Sequence, residues 1–211
     1  MYPPINLEIE ARAKGFQNVA GGDEAGRGSW AGPVCASFVI LPESFSLQGL
    51  DDSKKVKRSI RQKLFDQIIS VAVSFGIGFS SEKEIDQINI LEATRLAFIR
   101  AFESLFPKPD YLLLDYIRIP ALSAPFSSHV QGEQKSASIA AASILAKESR
   151  DRVMEEMDLR FPGYGFSCHK GYGTRKHRIA LKRYGPCDIH RKSFKPIQNI
   201  LQPSLFGEQP S

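Results

Sequence analysis

Residues 34–41 read Val-Cys-Ala-Ser-Phe-Val-Ile-Leu, and this segment constrains the fold more than any other. With a strand's period of two, Val34, Ala36, Phe38 and Ile40 share one face, and Cys35, Ser37, Val39 and Leu41 share the other. Both faces are mostly apolar. Such a strand must lie inside a sheet covered above and below, which points to a layered α/β domain.

The flanking patterns agree. Residues 19–23 read as a shorter strand, and Gly26-Arg27-Gly28 supplies the turn of a glycine-rich hairpin. Over residues 57–70, Ile60, Leu64, Phe65, Ile68 and Ile69 recur at helical spacing. The period then changes to two: Val71, Val73, Phe75, Ile77 and Phe79 form an apolar face, and Ala72, Ser74, Gly76, Gly78 and Ser80 a small-residue outer face. Asn89 with Glu92 resembles a capping box opening a helix to Phe106. Residues 111–115 read as a central strand ending in a carboxylate. Residues 136–161 read as a long helix whose first half is nearly all small residues and so lies close to a sheet. A basic helix is predicted over residues 174–184. These elements imply a mixed sheet flanked by helices, with a small helical C-terminal extension. Strand order is not derivable from them.

The chain has 211 residues, 42% hydrophobic and 24% charged, enough for one full domain and a small appendage. No apolar run approaches the ~20 residues of a membrane span, so a soluble protein is expected. The N-terminus lacks a basic and apolar leader, and three cysteines (35, 168, 187) make no disulfide framework, so a reducing, cytoplasmic setting is expected. A net charge of +5 favours a polyanionic partner.

Carboxylates at the ends of apolar strands carry the chemistry. Asp23 and Glu24 follow one such strand, Asp115 ends another, and Glu133 precedes the long helix. If the strands are neighbours, the acids converge, and their repulsion calls for hard cations such as Mg²⁺ or Mn²⁺. Two such ions about 3.5–4 Å apart suit phosphodiester hydrolysis. Adjacent side chains on a regular strand point to opposite faces, so the strand is expected to end or bulge at Asp23-Glu24.

The string Gly22-Asp23-Glu24-Ala25-Gly26-Arg27-Gly28, with Ala31-Gly32-Pro33-Val34 after it, resembles the signature of ribonuclease HII. So do Leu50-Asp51-Asp52-Ser53-Lys54-Lys55, the segment 138–147, His169-Lys170-Gly171-Tyr172-Gly173-Thr174 and His190-Arg191-Lys192-Ser193-Phe194. The blocks fall in family order over residues 18–196. The resemblance implies a ribonuclease H-like fold and a monomeric, metal-dependent endoribonuclease. It would act on RNA:DNA hybrids and cut 5′ of ribonucleotides embedded in duplex DNA, leaving 3′-hydroxyl and 5′-phosphate ends. It also implies that Asp23, Glu24, Asp115 and Glu133 hold two ions. Gly26, Arg27 and Gly28 would sense the ribose 2′-hydroxyl, and Tyr172 would pack on the sugar beside the scissile junction. Close backbone approach to a 2′-hydroxyl suits glycine, and Arg27 can fork onto a phosphate. Ser53 and Lys54 are phosphate contacts by the same resemblance, with Lys147, Lys170, Arg191 and Lys192 as further candidates.

The expected layout is a catalytic domain over residues 1–161, a loop and helical extension over 162–200 completing the substrate site, and a flexible tail over 201–211. In the tail, Gln202, Leu205 and Phe206 resemble a sliding-clamp peptide, in which an amide anchors the chain and two apolar side chains fill a pocket. The spacing of Cys168, His169, His177, Cys187 and His190 lacks a zinc pattern, and His169 and His190 read as hydrogen-bonding supports. Two positions depart from the family: Glu133 replaces the usual Asp, and Tyr116 stands where Gly is common and is expected to crowd the strand end. Two alternatives stay open: a duplex-binding module with impaired catalysis, and a hybrid-restricted enzyme of the HIII type.

Overall fold

Five strands form one sheet in a computed structural model that describes residues 3–202: β1 (Val19–Ala25), β2 (Val34–Ile40), β3 (Ser74–Ser80), β4 (Tyr111–Asp115) and β5 (Phe126–His129). Their order across the sheet is β3-β2-β1-β4-β5, antiparallel among the first three and parallel from β1 to β5. Among the described residues seven α-helices accompany it: α1 (Asn6–Ala13), α2 (Arg58–Val71), α3 (Glu82–Glu103), α4 (Ala137–Arg160), α5 (Phe166–His169), α6 (Arg175–Tyr184) and α7 (Lys195–Leu201). Among the described residues no helix is long and apolar enough to cross a membrane.

β2 is buried along its whole length, as its composition requires. Val34, Ala36, Phe38 and Ile40 meet α3 residues such as Ala97 and Phe98, while Val39 and Leu41 meet α2 and α4. The small residues of α4 let it lie directly on β1. A Cβ at Gly21 would stand 2.1 Å from the Ser138 carbonyl carbon, closer than any real contact. Ser37 Oγ donates to the Ala142 carbonyl at 2.7 Å, satisfying a buried hydroxyl at the same interface.

Three expectations need correction. The strand after α2 begins at Ser74 rather than 71, because α2 runs on to Val71. Its small-residue face is the buried one. Cβ atoms at Gly76 and Gly78 would lie 2.0 and 2.1 Å from the Ala101 and Ala97 carbonyl oxygens, so these glycines admit α3 against the sheet. The helix expected to open at Asn89 starts earlier, with a Ser81–Glu84 capping box, and kinks at Asn89 (φ 67°), whose Oδ1 accepts from Leu91 N and Glu92 N. α1 and β5 are additional. Glu8 of α1 reaches the start of α4, accepting from Ser136 Oγ (2.6 Å) and Ser138 N (2.9 Å), and so caps the helix that covers the active-site strands.

Candidate active site

β1 does not end or bulge at the acidic pair. It stays in register with β2 through Asp23↔Ser37, Glu24↔Ala36 and Ala25↔Cys35. What ends is β4, whose pairing with β1 stops at Gly22↔Leu114. Asp23 and Glu24 therefore extend past their neighbour, beside Asp115 at the β4 terminus. Asp23 is 7% exposed and lies on the α4 face, where Ser143 contacts it. Burial above all, then the charges of Glu24 and Asp115, pushes its carboxyl well above the usual range. Burial raises Glu24 too, against the Arg27 guanidinium 3.0 Å from its Oε1.

The fourth acid arrives on a one-turn 3₁₀ helix, Gly132–Gln134. Gly132 N donates to Asp115 Oδ1 at 2.9 Å, tying this turn to the end of β4. A Cβ on Gly132 would meet Ile139 Cδ1 at 2.7 Å. Glu133 is 6% exposed, and burial followed by the nearby Asp115 raises its carboxyl, against an opposing backbone hydrogen bond. Lys54 lies within reach of this group. Burial lowers its ammonium, but Asp52, Asp23, Glu133 and Asp115 together outweigh that and hold it above its ordinary value. The Lys54 turn is fixed by Lys54 N donating to Asp52 Oδ1 (2.9 Å) and by a Ser53 Oγ–Ser143 Oγ bond of 2.8 Å.

The Gly26–Gly28 turn rests on two arginines with no exposed surface. Arg150 donates to the carbonyls of Pro33 (2.9 Å), Lys170 (2.9 Å) and Ala31 (3.1 Å), and to Ser29 Oγ (2.7 Å). Arg191 donates to the carbonyls of Gly32 and Arg27, both at 2.9 Å. Burial pushes Arg191 down to about 9 and lowers Arg150 as well. The loop carrying Tyr172 packs on the same strap: Trp30 N donates to the Gly171 carbonyl at 2.8 Å, and Gly173 faces the Trp30 ring with no room for a Cβ. Arg191 is thereby withdrawn from the phosphate candidates. Lys170 is withdrawn too, being buried and paired with Glu155. Lys192 is exposed.

A cleft of about 320 Å³ is lined by Asp23, Glu24, Ala25, Gly26, Arg27, Gly28, Ser53, Lys54, Ser143, Lys147 and Tyr172. Nine sequence-predicted residues thus meet there, with Asp115 and Glu133 in electrostatic contact with the lining. Lys147 is held at the cleft wall by Asp151, 2.7 Å away, with its Nζ 5.8 Å from the Tyr172 ring centre. Ser143, Asp52 and Arg150 were not predicted as site or supporting residues, and Arg191 only as a phosphate contact. Only the small-residue face of α4 pointed toward Ser143. Tyr116 does not line the cleft, and the residue is 73% exposed. Its backbone takes φ 45°, the left-handed region where glycine is at ease.

The ribonuclease HII family model matches residues 20–197. The chain belongs to the ribonuclease HII family. A ribonuclease HII of Desulfitobacterium hafniense is 52% identical over 197 residues, covering 93% of this chain and 76% of that protein. The crystal structure of ribonuclease H2 from Pyrococcus horikoshii OT3 superposes with TM-score 0.75 at 25% identity, over 89% of this chain and 98% of that one. An Archaeoglobus fulgidus ribonuclease HII, solved in a complex with PCNA, shares the fold at TM-score 0.72 and 23% identity, over 85% and 96%. The sheet and helices are therefore of the ribonuclease HII type, and the chain is a ribonuclease H-type endonuclease.

Members of this family are metal-dependent, and the acids present suit a hard cation. All four offer oxygen, and Glu24 Oε2 and Glu133 Oε2 are buried with no hydrogen-bond partner. The raised carboxyls of Asp23, Glu24 and Glu133 mark a site in which negative charge lacks compensation. Among the described residues no three such side chains are closed to metal-ligand spacing, so the fit rests on the donor set and its orphaned oxygens.

Proposed function

We propose that this ribonuclease HII cuts the RNA strand of RNA:DNA hybrids and cuts 5′ of ribonucleotides embedded in duplex DNA, leaving 3′-hydroxyl and 5′-phosphate ends. The observation carrying this reading is the shared cleft, in which the acids adjoin the Gly26-Arg27-Gly28 turn and Tyr172. Asp23, Glu24, Asp115 and Glu133 would hold two Mg²⁺ or Mn²⁺ ions, which supply Lewis-acid activation of phosphate and water when bound.

The chain's own groups do the rest. Gly26 lets the turn close over Arg150, and Gly28 lets its backbone approach the ribose, where a 2′-hydroxyl distinguishes RNA from DNA. Arg27, Ser53, Lys54 and Lys147 offer donors for backbone phosphates, which position a duplex without reading its sequence. Tyr172 presents a partly exposed ring as a platform for the neighbouring sugar. Beyond it, α6 carries Arg175, Lys176, Arg178, Lys182 and Arg183 and no acid, a basic flank for the duplex. We place the enzyme in the cytoplasm as a monomer. The catalytic unit would span residues 1–161, and the extension over 162–200 would complete the site by supplying Tyr172 and α6.

The test is an end-labelled DNA duplex with one ribonucleotide, incubated with Mg²⁺ or Mn²⁺ beside an Asp23→Asn control. One cut 5′ of the ribonucleotide, absent in the control, is expected. Tight binding without a cut in either metal would instead favour a binding module, and cutting of long hybrids only an HIII-like enzyme. For the tail, we propose sliding-clamp binding through Gln202, Leu205 and Phe206. Gln202 ends α7, and Leu205 and Phe206 lie outside the described residues. Removal of residues 202–211 should abolish clamp affinity; unchanged affinity refutes it.

A further inference from the structure

Beneath Tyr172 lies a group that the proposed reaction does not use: buried His169, His177, His190 and Tyr164, with half-buried Cys187. His177 Nδ1 is 3.0 Å from the Tyr172 carbonyl, His177 Nε2 is 3.0 Å from His190 Nε2, and His190 Nδ1 is 2.9 Å from the Cys187 amide. His177 and His190 are almost fully enclosed, and His169 stacks on His177 with ring centres 4.3 Å apart.

These contacts dictate proton positions. A carbonyl only accepts, so His177 carries its proton on Nδ1 and its Nε2 accepts. His190 must then donate from Nε2, leaving its Nδ1 free to accept the Cys187 N–H. The Cys187 carbonyl, 3.1 Å from the same Nδ1, offers the reverse polarity, but with neutral rings that choice would point the bare His177 Nδ1 at the Tyr172 oxygen. One tautomer pattern alone satisfies both ends. The surroundings keep the rings neutral. Phe166 and Trp30 line His177, and Tyr164 and Phe166 line His190. Charges around the group, Arg178 over Trp30, Lys176 and Asp158 near His169, and Asp188 near Cys187, lie on the rim. Burial pushes both His177 and His190 down to about 4.

We propose that this relay, Cys187 N–H to His190 to His177 to the Tyr172 carbonyl, positions Tyr172 for the substrate sugar, with His177 and His190 acting only as neutral tautomers of opposite kind. The proposal rests on the reading that Tyr172 meets the substrate. It adds two positioning residues outside the cleft, on α6 and in the loop before α7, coupled to the cleft through one backbone oxygen.

Two substitutions separate hydrogen bonding from packing. Asparagine places an amide N–H where His177 Nδ1 stood, whereas glutamine places it where Nε2 stood. Both remove the same ring contacts. On the single-ribonucleotide duplex, His177→Gln should lower kcat/KM about tenfold relative to His177→Asn, approaching Tyr172→Ala, while the two variants melt within a few degrees of each other. Equal loss in both would make the histidine a packing residue and overturn the proposal. Nitrogen-15 spectra of the full-length protein at neutral pH should show His177 as the Nδ1–H and His190 as the Nε2–H tautomer, without substrate or metal. The opposite assignment at either ring overturns the relay. If the tautomers are as stated but Tyr172→Ala cuts as fast as its parent, the reading of Tyr172 fails, and the positioning role fails with it.

Discussion

Gly26 and Gly28 flank the same arginine and should respond to a methyl group in opposite ways. At Gly26 the backbone takes φ 95°, and a Cβ would sit 2.0 Å from Arg150 Nε and 2.4 Å from its Cδ. Arg150 cannot swing aside, because it is buried and held by Pro33, Lys170, Ala31 and Ser29. The left-handed conformation costs a residue with a Cβ about 1–2 kcal/mol. Shifting the guanidinium off one carbonyl costs about 1.5–3 kcal/mol more, since its bonds are charge-assisted. Gly26→Ala should therefore lose about 2.5–5 kcal/mol, a fall in Tm of about 5–20 °C for a chain this long. Gly28 has no positive φ, and a Cβ added there would meet nothing within 4 Å. Gly28→Ala should stay within about 0.5 kcal/mol of the parent. Its methyl would still stand in the cleft that the ribose is proposed to enter, so cleavage of the single-ribonucleotide duplex should fall at least about tenfold. Thermal melts of both variants, with cleavage rates beside them, check this. A Gly26→Ala protein that melts with its parent, or a Gly28→Ala protein that melts as low as Gly26→Ala, would refute the assignment of one glycine to folding and the other to substrate.

Three further substitutions probe the acids and the strand end. Burial and the charges of Glu24 and Asp115 make ionised Asp23 the costly form in the fold. That penalty is absent below the ordinary carboxylate range near ~4, grows as pH rises above it, and levels off past the raised folded value. Asp23→Asn should thus raise Tm at pH 8 in chelator, with the gain vanishing toward pH 4; a lower Tm at pH 8 would remove the repulsion argument. Tyr116→Gly relieves a left-handed backbone without uncovering a core and should raise stability by up to about 1 kcal/mol in urea melts. Glu133→Asp retracts a buried oxygen by one methylene, so the ratio of Mg²⁺- to Mn²⁺-supported rates should change at least about threefold with Tm unchanged.

The parts of the molecule legible in its sequence are those where one residue type has one physical use. The two faces of β2 could be read directly, because alternation in a doubly covered strand leaves no other assignment, and the small residues of α4 announced a helix lying on a sheet. The face of β3 was read the wrong way round for a related reason. Ser74, Gly76 and Gly78 look like an exposed strip until a helix backbone is known to lie against them. Asp23 and Glu24 seemed to require a broken strand, since sequence periodicity is blind to where the neighbouring strand stops. β5, with Phe126 and three polar residues, carries too little pattern to be found at all.

Arg150 and Arg191 were invisible as supports for another reason: they answer to carbonyls rather than acids, so no partner is marked in the sequence. That choice has a testable logic. Burying a guanidinium without a carboxylate is expensive, and the cost is partly offset where its planar fork takes two carbonyls at fixed spacing. Arg191 bridges Gly32 and Arg27 through Nε and Nη1, joining the segment before α7 to the substrate turn, while its Nη2 is buried without a hydrogen-bond partner. Arg191→Lys keeps the charge but offers a single ammonium, which cannot span both oxygens and loses its proton more readily when buried. A loss of about 3 kcal/mol is expected at neutral pH, near the lower end for an uncompensated buried charge. Because a buried lysine is depressed, the fold favours its neutral form. That variant should therefore recover part of the loss as pH rises toward the ordinary lysine range, whereas the parent arginine, still charged at pH 8, should not. Urea melts of both proteins at pH 7 and pH 8 check this. Equal stability at pH 7 would mean that charge alone holds the turn and that the fork geometry is incidental.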